Sequence, residues 1–382
     1  MPLGPVVFIS AAEQSADLHA ASLIRATRKL DPDIRFIGVA GPNMVEAGCD
    51  RVFDMTQHAA MLLGAVRAVG TGIRMLHTAD VYLRRYDFDA VVVIDSPTLH
   101  LRLAQRAHAR GLPVLYYIAP QLWAWGSSRI YKLRHTVDHL ACILPFEEKF
   151  FRDQGVDATF VGHPLWDRIA NSTINNKTVE MIRSRGSPFI ALLPGSRKHV
   201  VEANLPGQLE TARGIRKAFP RAAFGVSIAN PQVSPLVQRM VRSTDLSLSL
   251  HVHDHTELIR AADLVLAVSG TTTLEVAFHE RPMIVMYQAS RLFYHLFGRW
   301  VLRTEHLSLP NILAGRRIVP EFMPYYRSTK PLADCAVELL SSEDQRARMV
   351  RDLHEVTAPL KLKHASENTA RLLLQMIRRQ AH

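Results

Sequence analysis

The apolar run Leu264–Val268 stops at Ser269-Gly270-Thr271-Thr272-Thr273-Leu274-Glu275, a small, hydroxyl-rich turn with a carboxylate one helical turn further on. A buried strand that gives way to a helix in this manner points unpaired N–H groups, and the positive end of the helix, at one spot. That spot suits a phosphate or diphosphate, and Glu275 is then placed for the hydroxyls of a ribose. The same residues equally spell a capping box, so the turn alone does not separate a ligand site from an ordinary helix start. A second turn carries more weight. Phe189–Leu193 runs into Pro194-Gly195-Ser196-Arg197. Here Gly195 permits close backbone approach, Ser196 offers a hydroxyl, and Arg197 can grip phosphate through two N–H groups. Two anion-suited strand ends in one half of the chain favour a diphosphate site over two unrelated turns.

The first half offers a base. Ala90–Ile94 runs into Asp95-Ser96-Pro97, and a carboxylate at the end of a central strand can be desolvated into a usable proton acceptor. A helix cap or a turn aspartate fits the same residues. Pro120-Gln121-Leu122-Trp123-Ala124-Trp125 places two indoles in a loop, suited to sugar or lipid packing and equally to anchoring the loop.

These residues need elements to hold them. Val6–Ile9, Arg35–Val39, Ala90–Ile94, Val114–Ile118, Leu140–Leu144 and Thr159–Val161 read as short buried strands, with a helix predicted from about Ser15 to Leu30. Asn171–Lys177 is polar and without periodicity, so it reads as a linker. The pattern then restarts with Phe189–Leu193, Ala223–Ile228, Leu248–Val252, Leu264–Val268 and Met283–Met286. Alternating strands and helices of this kind build parallel sheets. The expectation is an α/β protein of two Rossmann-like halves: a domain over 1–170, a linker over 171–186, a second domain over 187–340 and a basic helical segment over 341–382.

The chain of 382 residues is 48% hydrophobic, enough for two large cores, and carries a net charge of +11. No basic-then-apolar leader opens it, and no uncharged apolar stretch approaches the ~20 residues of a membrane span. The three cysteines are scattered, which fits a reducing compartment and neither a disulfide framework nor a zinc cluster. The expectation is a cytoplasmic protein. The basic residues show no aromatic-interleaved or recognition-helix pattern, which argues against nucleic acid. An anionic membrane surface is the alternative partner.

Taken together and in order, these stretches resemble the lipid-A-disaccharide synthases of Gram-negative bacteria over almost the whole chain. The resemblance is carried by Ala12-Glu13-Gln14-Ser15-Ala16-Asp17, Gly38–Pro42, Ile94–Pro97, Pro120–Trp125, Leu144-Pro145-Phe146-Glu147, Gly162-His163-Pro164, Leu193–Arg197, Ser269–Glu275 and Ser308–Arg316. It implies the GT-B fold, two Rossmann-like domains facing across a cleft, with no cofactor and no catalytic metal. It implies transfer of a sugar from UDP-2,3-diacylglucosamine to 2,3-diacylglucosamine 1-phosphate, with inversion, on the inner face of the inner membrane. The alternative readings are a related enzyme of the same fold with another lipid acceptor, a UDP-sugar epimerase, or a non-catalytic nucleotide-sugar-binding paralogue. Asp95 matches the family's essential aspartate. Arg197, Gly195, Ser196 and the Ser269-Gly270-Thr271 helix start would neutralise the leaving diphosphate, with Glu275 on the ribose and Asn311 near the donor. Glu13, Ser15, Asp17, Gln121 and Trp123 fall on the acceptor side. His163 is read either as an orienting group or as a satisfied structural histidine.

Asp87-Phe88-Asp89 spells a metal-binding DxD, but it precedes its strand and so lies at the wrong end for the site. His251, His253 and His255 alternate as metal ligands on a strand face would; the resemblance places a loop near the donor base there, so a histidine-lined nucleotide edge is expected instead. Acylated substrates imply a membrane-facing element. Ala59–Leu76, apolar with Arg67 and Arg74 on one face, is assigned to it, with Met61, Leu62 and Leu63 at its tip; a core-packing amphipathic helix fits the same pattern. A homodimer is left open. The departures from the family (Ala12 and Ala16 for glycines, no Gly-x-x-Glu around Gly64, Thr98 for an aspartate) all fall in the acceptor half.

Overall fold

The strand-forming runs are nearly continuous in Val, Ile, Leu and Ala, the composition that a parallel sheet covered on both faces requires. In the computed structural model, residues 4–54, 65–124, 129–289 and 305–380 are described, with the side chains of 65–69 excepted. The described residues form two units: 1–170 with 359–382, and 171–358.

The first unit is a seven-stranded sheet in the order β3-β2-β1-β4-β5-β6-β7, parallel throughout. Its strands are β1 (Val6–Ala11), β2 (Arg35–Val39), β3 (Cys49–Phe53), β4 (Ala90–Ile94), β5 (Val114–Tyr117), β6 (His139–Cys142) and β7 (Ala158–Phe160). The side-chain period of two splits the core. Ile9, Ile94, Leu115 and Tyr117 pack on one face with Ala20, Leu23 and Ile24 of α1 (Gln14–Leu30). Phe8, Val91, Val93 and Tyr116 pack on the other, with Met75, Leu76, Leu83 and Leu103. That second face is covered by α3 (Ala65–Arg85) and α4 (Pro97–His108), following the short α2 (Pro42–Glu46). Each large side chain buried in this way contributes about 1.5–3 kcal/mol.

The second unit repeats the plan with six strands in the order β10-β9-β8-β11-β12-β13. These are β8 (Phe189–Leu193), β9 (Ala223–Ser227), β10 (Leu248–His251), β11 (Leu264–Val268), β12 (Met283–Met286) and β13 (Glu321–Phe322). In both sheets the first strand of the unit is central and the chain reverses direction of travel beside it, between β1 and β4 and between β8 and β11. Ligands of doubly wound sheets bind outside the carboxyl ends of the strands at such a reversal.

The differences from the sequence-based expectation have physical causes. β3 and β13 are edge strands, one half-exposed and polar, the other two residues long, so neither has an apolar run to announce it. The stretch read as a linker already starts a helix, Asn176–Arg183, whose N-cap Asn175 accepts a hydrogen bond from the N–H of Thr178. The C-terminal segment is not a separate piece. Lys330–Ser341 and most of Glu343–Lys361 belong to the second unit, whereas Ala365–Gln380 returns to the first. There Leu373 and Leu374 join the α1 core, and the N–H groups of Ala365 and Ser366 donate to the Asp167 carboxylate at 3.1 and 2.9 Å. No helix among the described residues is long and apolar enough to cross a membrane.

Candidate functional site

In the second unit, the ends of β8 and β11 open on a cavity of 310 Å³ lined by Gly195, Ser196, Arg197, Ser269, Gly270, Thr271 and Thr272, with Ser227, His255 and Tyr287 completing the wall. The two turns that the sequence singled out are thus brought together, because β8 and β11 are direct neighbours. Gln208, buried in α5 (Lys198–Ala218), ties them from below: its Nε2 donates to the carbonyls of Leu193 and Leu266 at 3.2 and 3.0 Å. Gly195 sits at φ 102°, and a Cβ there would lie 2.8 Å from Val200, so only glycine fits the turn. Gly270 is left-handed too, at φ 141°, with open space where a Cβ would be.

The capping alternative is not what forms at α6 (Thr271–Phe278). Its N-cap is Gly270, no side chain caps it, and the Thr273 hydroxyl turns back to the Gly270 carbonyl at 2.8 Å. The first-turn N–H groups of Thr271 and Thr272, both on the cavity wall, therefore keep their outward direction. Arg197 is the N-cap residue of α5, exposed and without an ion-pair partner among the described residues. Two helix starts and one guanidinium converge on the cavity, an arrangement suited to an anion.

Glu275 and Asn311 take other places than expected. Glu275 is almost fully buried behind the wall; His255, which does line the cavity, approaches its Oε2 through Nε2 at 3.6 Å and meets Ser227 Oγ through Nδ1 at 2.7 Å. Asn311 is corrected to a structural residue. Its Oδ1 accepts from the N–H groups of Ile318 and Val319, and its Nδ2 donates to the Val319 carbonyl, all inside the fold. The histidine run does not share a strand face, because β10 ends at His251. That residue is buried between Ser249 and Asp254 while His253 is exposed. Ser227 and Tyr287 were the residues hardest to foresee, since only the parallel packing of β9, β8, β11 and β12 brings them to the wall beside His255, which belongs to the run the sequence singled out.

In the first unit, Ala11 and Ile94 are register partners, so Glu13 and Ser15 leave β1 beside the point where Asp95 leaves β4. Gln121 follows β5, the next strand, and is exposed. Asp95 and Ser96 have φ of 53° and 47°, and Ile118 at the end of β5 has φ 66°. Left-handed non-glycine residues cost of order 1–3 kcal/mol each, and such strain collects where a protein holds a group for use. Burial raises the Asp95 carboxyl above the ordinary range, opposed by a hydrogen bond from the Ser96 backbone.

Two other acceptor-side expectations are revised, and His163 takes one of its two readings. Asp17 is fully buried and caps α2, accepting from Asn43 N and Nδ2 and from Met44 N at 2.7–3.0 Å. Trp123 donates its indole N–H to Glu147 at 3.0 Å and packs edge-on against Phe146, an anchoring role. Burial pushes Glu147 up to about 7 despite the N–H bonds it accepts from Trp123, Leu144 and Ile143. His163 is buried, accepts from Leu165 N at 3.1 Å and is pushed down to about 3 by burial, so its ring is neutral and structural. Ala12 and Ala16 are buried with ordinary backbone, so neither position calls for glycine in this chain. Asp89 of the DxD lookalike holds the opposite end of the sheet, accepting from Val6 N at 2.7 Å. Met61, Leu62 and Leu63 lie outside the described residues, as does the Arg67 side chain; Arg74 is exposed on α3. Among the described residues no group of three His, Cys, Asp or Glu side chains is arranged to hold a metal ion.

With this geometry in hand, comparison with known proteins is direct. Residues 7–377 match the model of the family described as Lipid-A-disaccharide synthetase. The chain is 36% identical to the lipid-A-disaccharide synthase of Syntrophus aciditrophicus (strain SB), over 98% of each chain. It is 31% identical to that of Geobacter sulfurreducens, again over 98% of each. Among solved structures it is similar to the glycotransferase of kitacinnamycin (TM-score 0.63, 16% identity, 98% and 99% of the two chains covered). It is also similar to the UDP-GlcNAc 2-epimerase of Neisseria meningitidis bound to UDP-GlcNAc (TM-score 0.61, 11% identity, 98% and 99% covered). At these identities the structural likeness speaks for the fold alone, that of GT-B glycosyltransferases and related epimerases.

Proposed function

The chain belongs to the lipid-A-disaccharide synthase family, and on that premise we propose that it joins UDP-2,3-diacylglucosamine to the 6-hydroxyl of 2,3-diacylglucosamine 1-phosphate. It is a glycosyltransferase of lipid A biosynthesis, acting on a nucleotide sugar. The observation that carries the reading is the cavity between Gly195 and Thr271, where two helix starts and Arg197 converge.

In the proposed reaction Asp95 takes the proton of the acceptor hydroxyl. The oxygen attacks the anomeric carbon from the face opposite UDP, the bond to the diphosphate oxygen breaks, and the configuration inverts. The electron pair leaves with the diphosphate, where Arg197 and the N–H groups around Gly195 and Thr271 receive the charge. Preorganised donors of this kind, aimed at charge that grows in the transition state, are the strongest single aid a protein gives such a step. The ribose hydroxyls fall to His255 on the cavity wall, with Glu275 behind it. Glu13, Ser15 and Gln121, at neighbouring strand ends, are the acceptor-side contacts.

The test is incubation of purified protein with both diacyl sugars and mass spectrometry of the products. A tetraacyl disaccharide 1-phosphate with equal UDP is expected; UDP release without disaccharide overturns the assignment of the acceptor.

Acylated substrates place the work at a membrane, since each buried CH₂ is worth ~0.8 kcal/mol. In support, α3 exposes Ile73 and Val81 near Arg74, and Arg84, Arg102, Arg106 and Arg110 line an open depression of 580 Å³ on the same unit, with Asp80 paired to Arg84 and Arg110. Replacing Met61, Leu62 and Leu63 together by Ser is expected to lower flotation with anionic liposomes. Unchanged flotation would remove 59–76 as the docking element.

A further inference from the structure

The polar groups beneath Asp95 are as specific as its position. Its main-chain carbonyl accepts two hydrogen bonds, from the Tyr116 hydroxyl and from His100 Nδ1, each at 2.7 Å. A carbonyl can only accept, so Nδ1 carries the ring proton. Burial pushes His100 down to about 4, so the ring is neutral and Nε2 is an acceptor. The Ser10 hydroxyl, 2.9 Å away, therefore donates to it. Ser10, His100 and Tyr116 come from β1, α4 and β5, and all three are 0% exposed. The Asp95 N–H is held as well, by the Tyr117 carbonyl at 3.1 Å, and the Ser96 carbonyl accepts from Leu99 N and His100 N.

Three buried polar side chains from three elements thus serve one carbonyl. Apolar side chains of the same shape would fill this core without needing partners. What the network adds is a fixed peptide plane at two successive left-handed residues, Asp95 and Ser96. Fixing both N–H and C=O of Asp95 fixes the direction in which its Cα–Cβ bond leaves the sheet. We propose that Tyr116 and the Ser10–His100 pair are positioning residues, which hold the Asp95–Ser96 turn in its left-handed form so that the Asp95 carboxylate meets the acceptor hydroxyl. The inference rests on the reading of Asp95 as the base.

Tyr116→Phe removes one donor and little volume. Its kcat is expected to fall roughly 10- to 100-fold, the range for small misplacement of a reacting group, with KM for the UDP-sugar and affinity for UDP unchanged. In an Asp95→Asn background the same substitution should cause no further loss, because the group it aims is gone. Wild-type kcat in Tyr116→Phe overturns the proposal, as does an equal fold-loss in both backgrounds, which marks a purely structural effect. Full activity in Asp95→Asn alone would instead remove the base. Should Tyr116→Phe fail to fold, Ser10→Ala, which releases the ring, takes its place with the same readouts and the same outcomes.

Discussion

Asp95→Asn is expected to lower kcat by about 10²- to 10⁴-fold, the range of a positioned general base, while KM for the UDP-sugar stays put. The residues proposed to hold the donor all lie in the second unit, so the substitution leaves them untouched. Asparagine keeps the shape and the acceptor oxygen but cannot take a proton. The pH dependence follows from the sign of the shift. Burial raises the folded-state pKa of Asp95, so the base is lost as pH falls through a value above the ordinary carboxylate range, and kcat/KM should show its acid limb there. The same shift makes the residue a burden on stability. The folded state binds the proton more tightly than the unfolded chain, so the contribution of Asp95 is fully present below the unfolded pKa and is lost as pH rises through the folded one. Near pH 7 Asp95→Asn should therefore melt higher than the wild type, a slower but more stable protein. Retained activity in this variant, measured with both acylated sugars, would leave the reaction without its proposed base.

Arg197→Ala is the second large effect. The leaving diphosphate gains negative charge as the glycosidic bond breaks, and Arg197 is the guanidinium on the cavity wall. Its removal should cost about 10²- to 10³-fold in kcat/KM. Part of that appears as weaker UDP binding, since the ground-state diphosphate is anionic already. Arg197→Lys should recover only a fraction: an ammonium supplies the charge but not the planar pair of N–H donors. Calorimetric titration with UDP alone separates the two contributions. Unchanged UDP affinity and unchanged kcat/KM in Arg197→Ala would move the diphosphate away from this cavity.

How much of this was open to reading along the chain depended on how local each signal is. Leu264–Val268 and Phe189–Leu193 are strands with the bounds read from the sequence, because five consecutive apolar residues closed by Gly or Pro have few other uses. β3 and β13 were missed because an edge strand needs no apolar run. Ile118, read as the end of a strand, is instead left-handed, which no β-branched residue announces. The residues whose roles shifted share one property. Asp17, Trp123 and Asn311 are polar side chains in family-like motifs, yet each finds its hydrogen bonds inside the fold. Sequence gives a polar residue its capacity to bind, not the partner that uses it.

The turn Ser269–Glu275 condenses the division. Residue order by itself determined the strand, the glycine, the hydroxyls and the helix that follows, since these rest on backbone sterics and short-range periodicity. Whether its N–H groups were capped or open was decided by tertiary structure: Thr273 turned inward, Gly270 took the cap position, and β8 arrived alongside with Arg197. Likewise the sequence placed an aspartate at the end of a central strand. Only the packing of β1 and β5 against α4 brought Ser10 and Tyr116, distant in the chain, together with the nearby His100 to hold the backbone from which that aspartate projects.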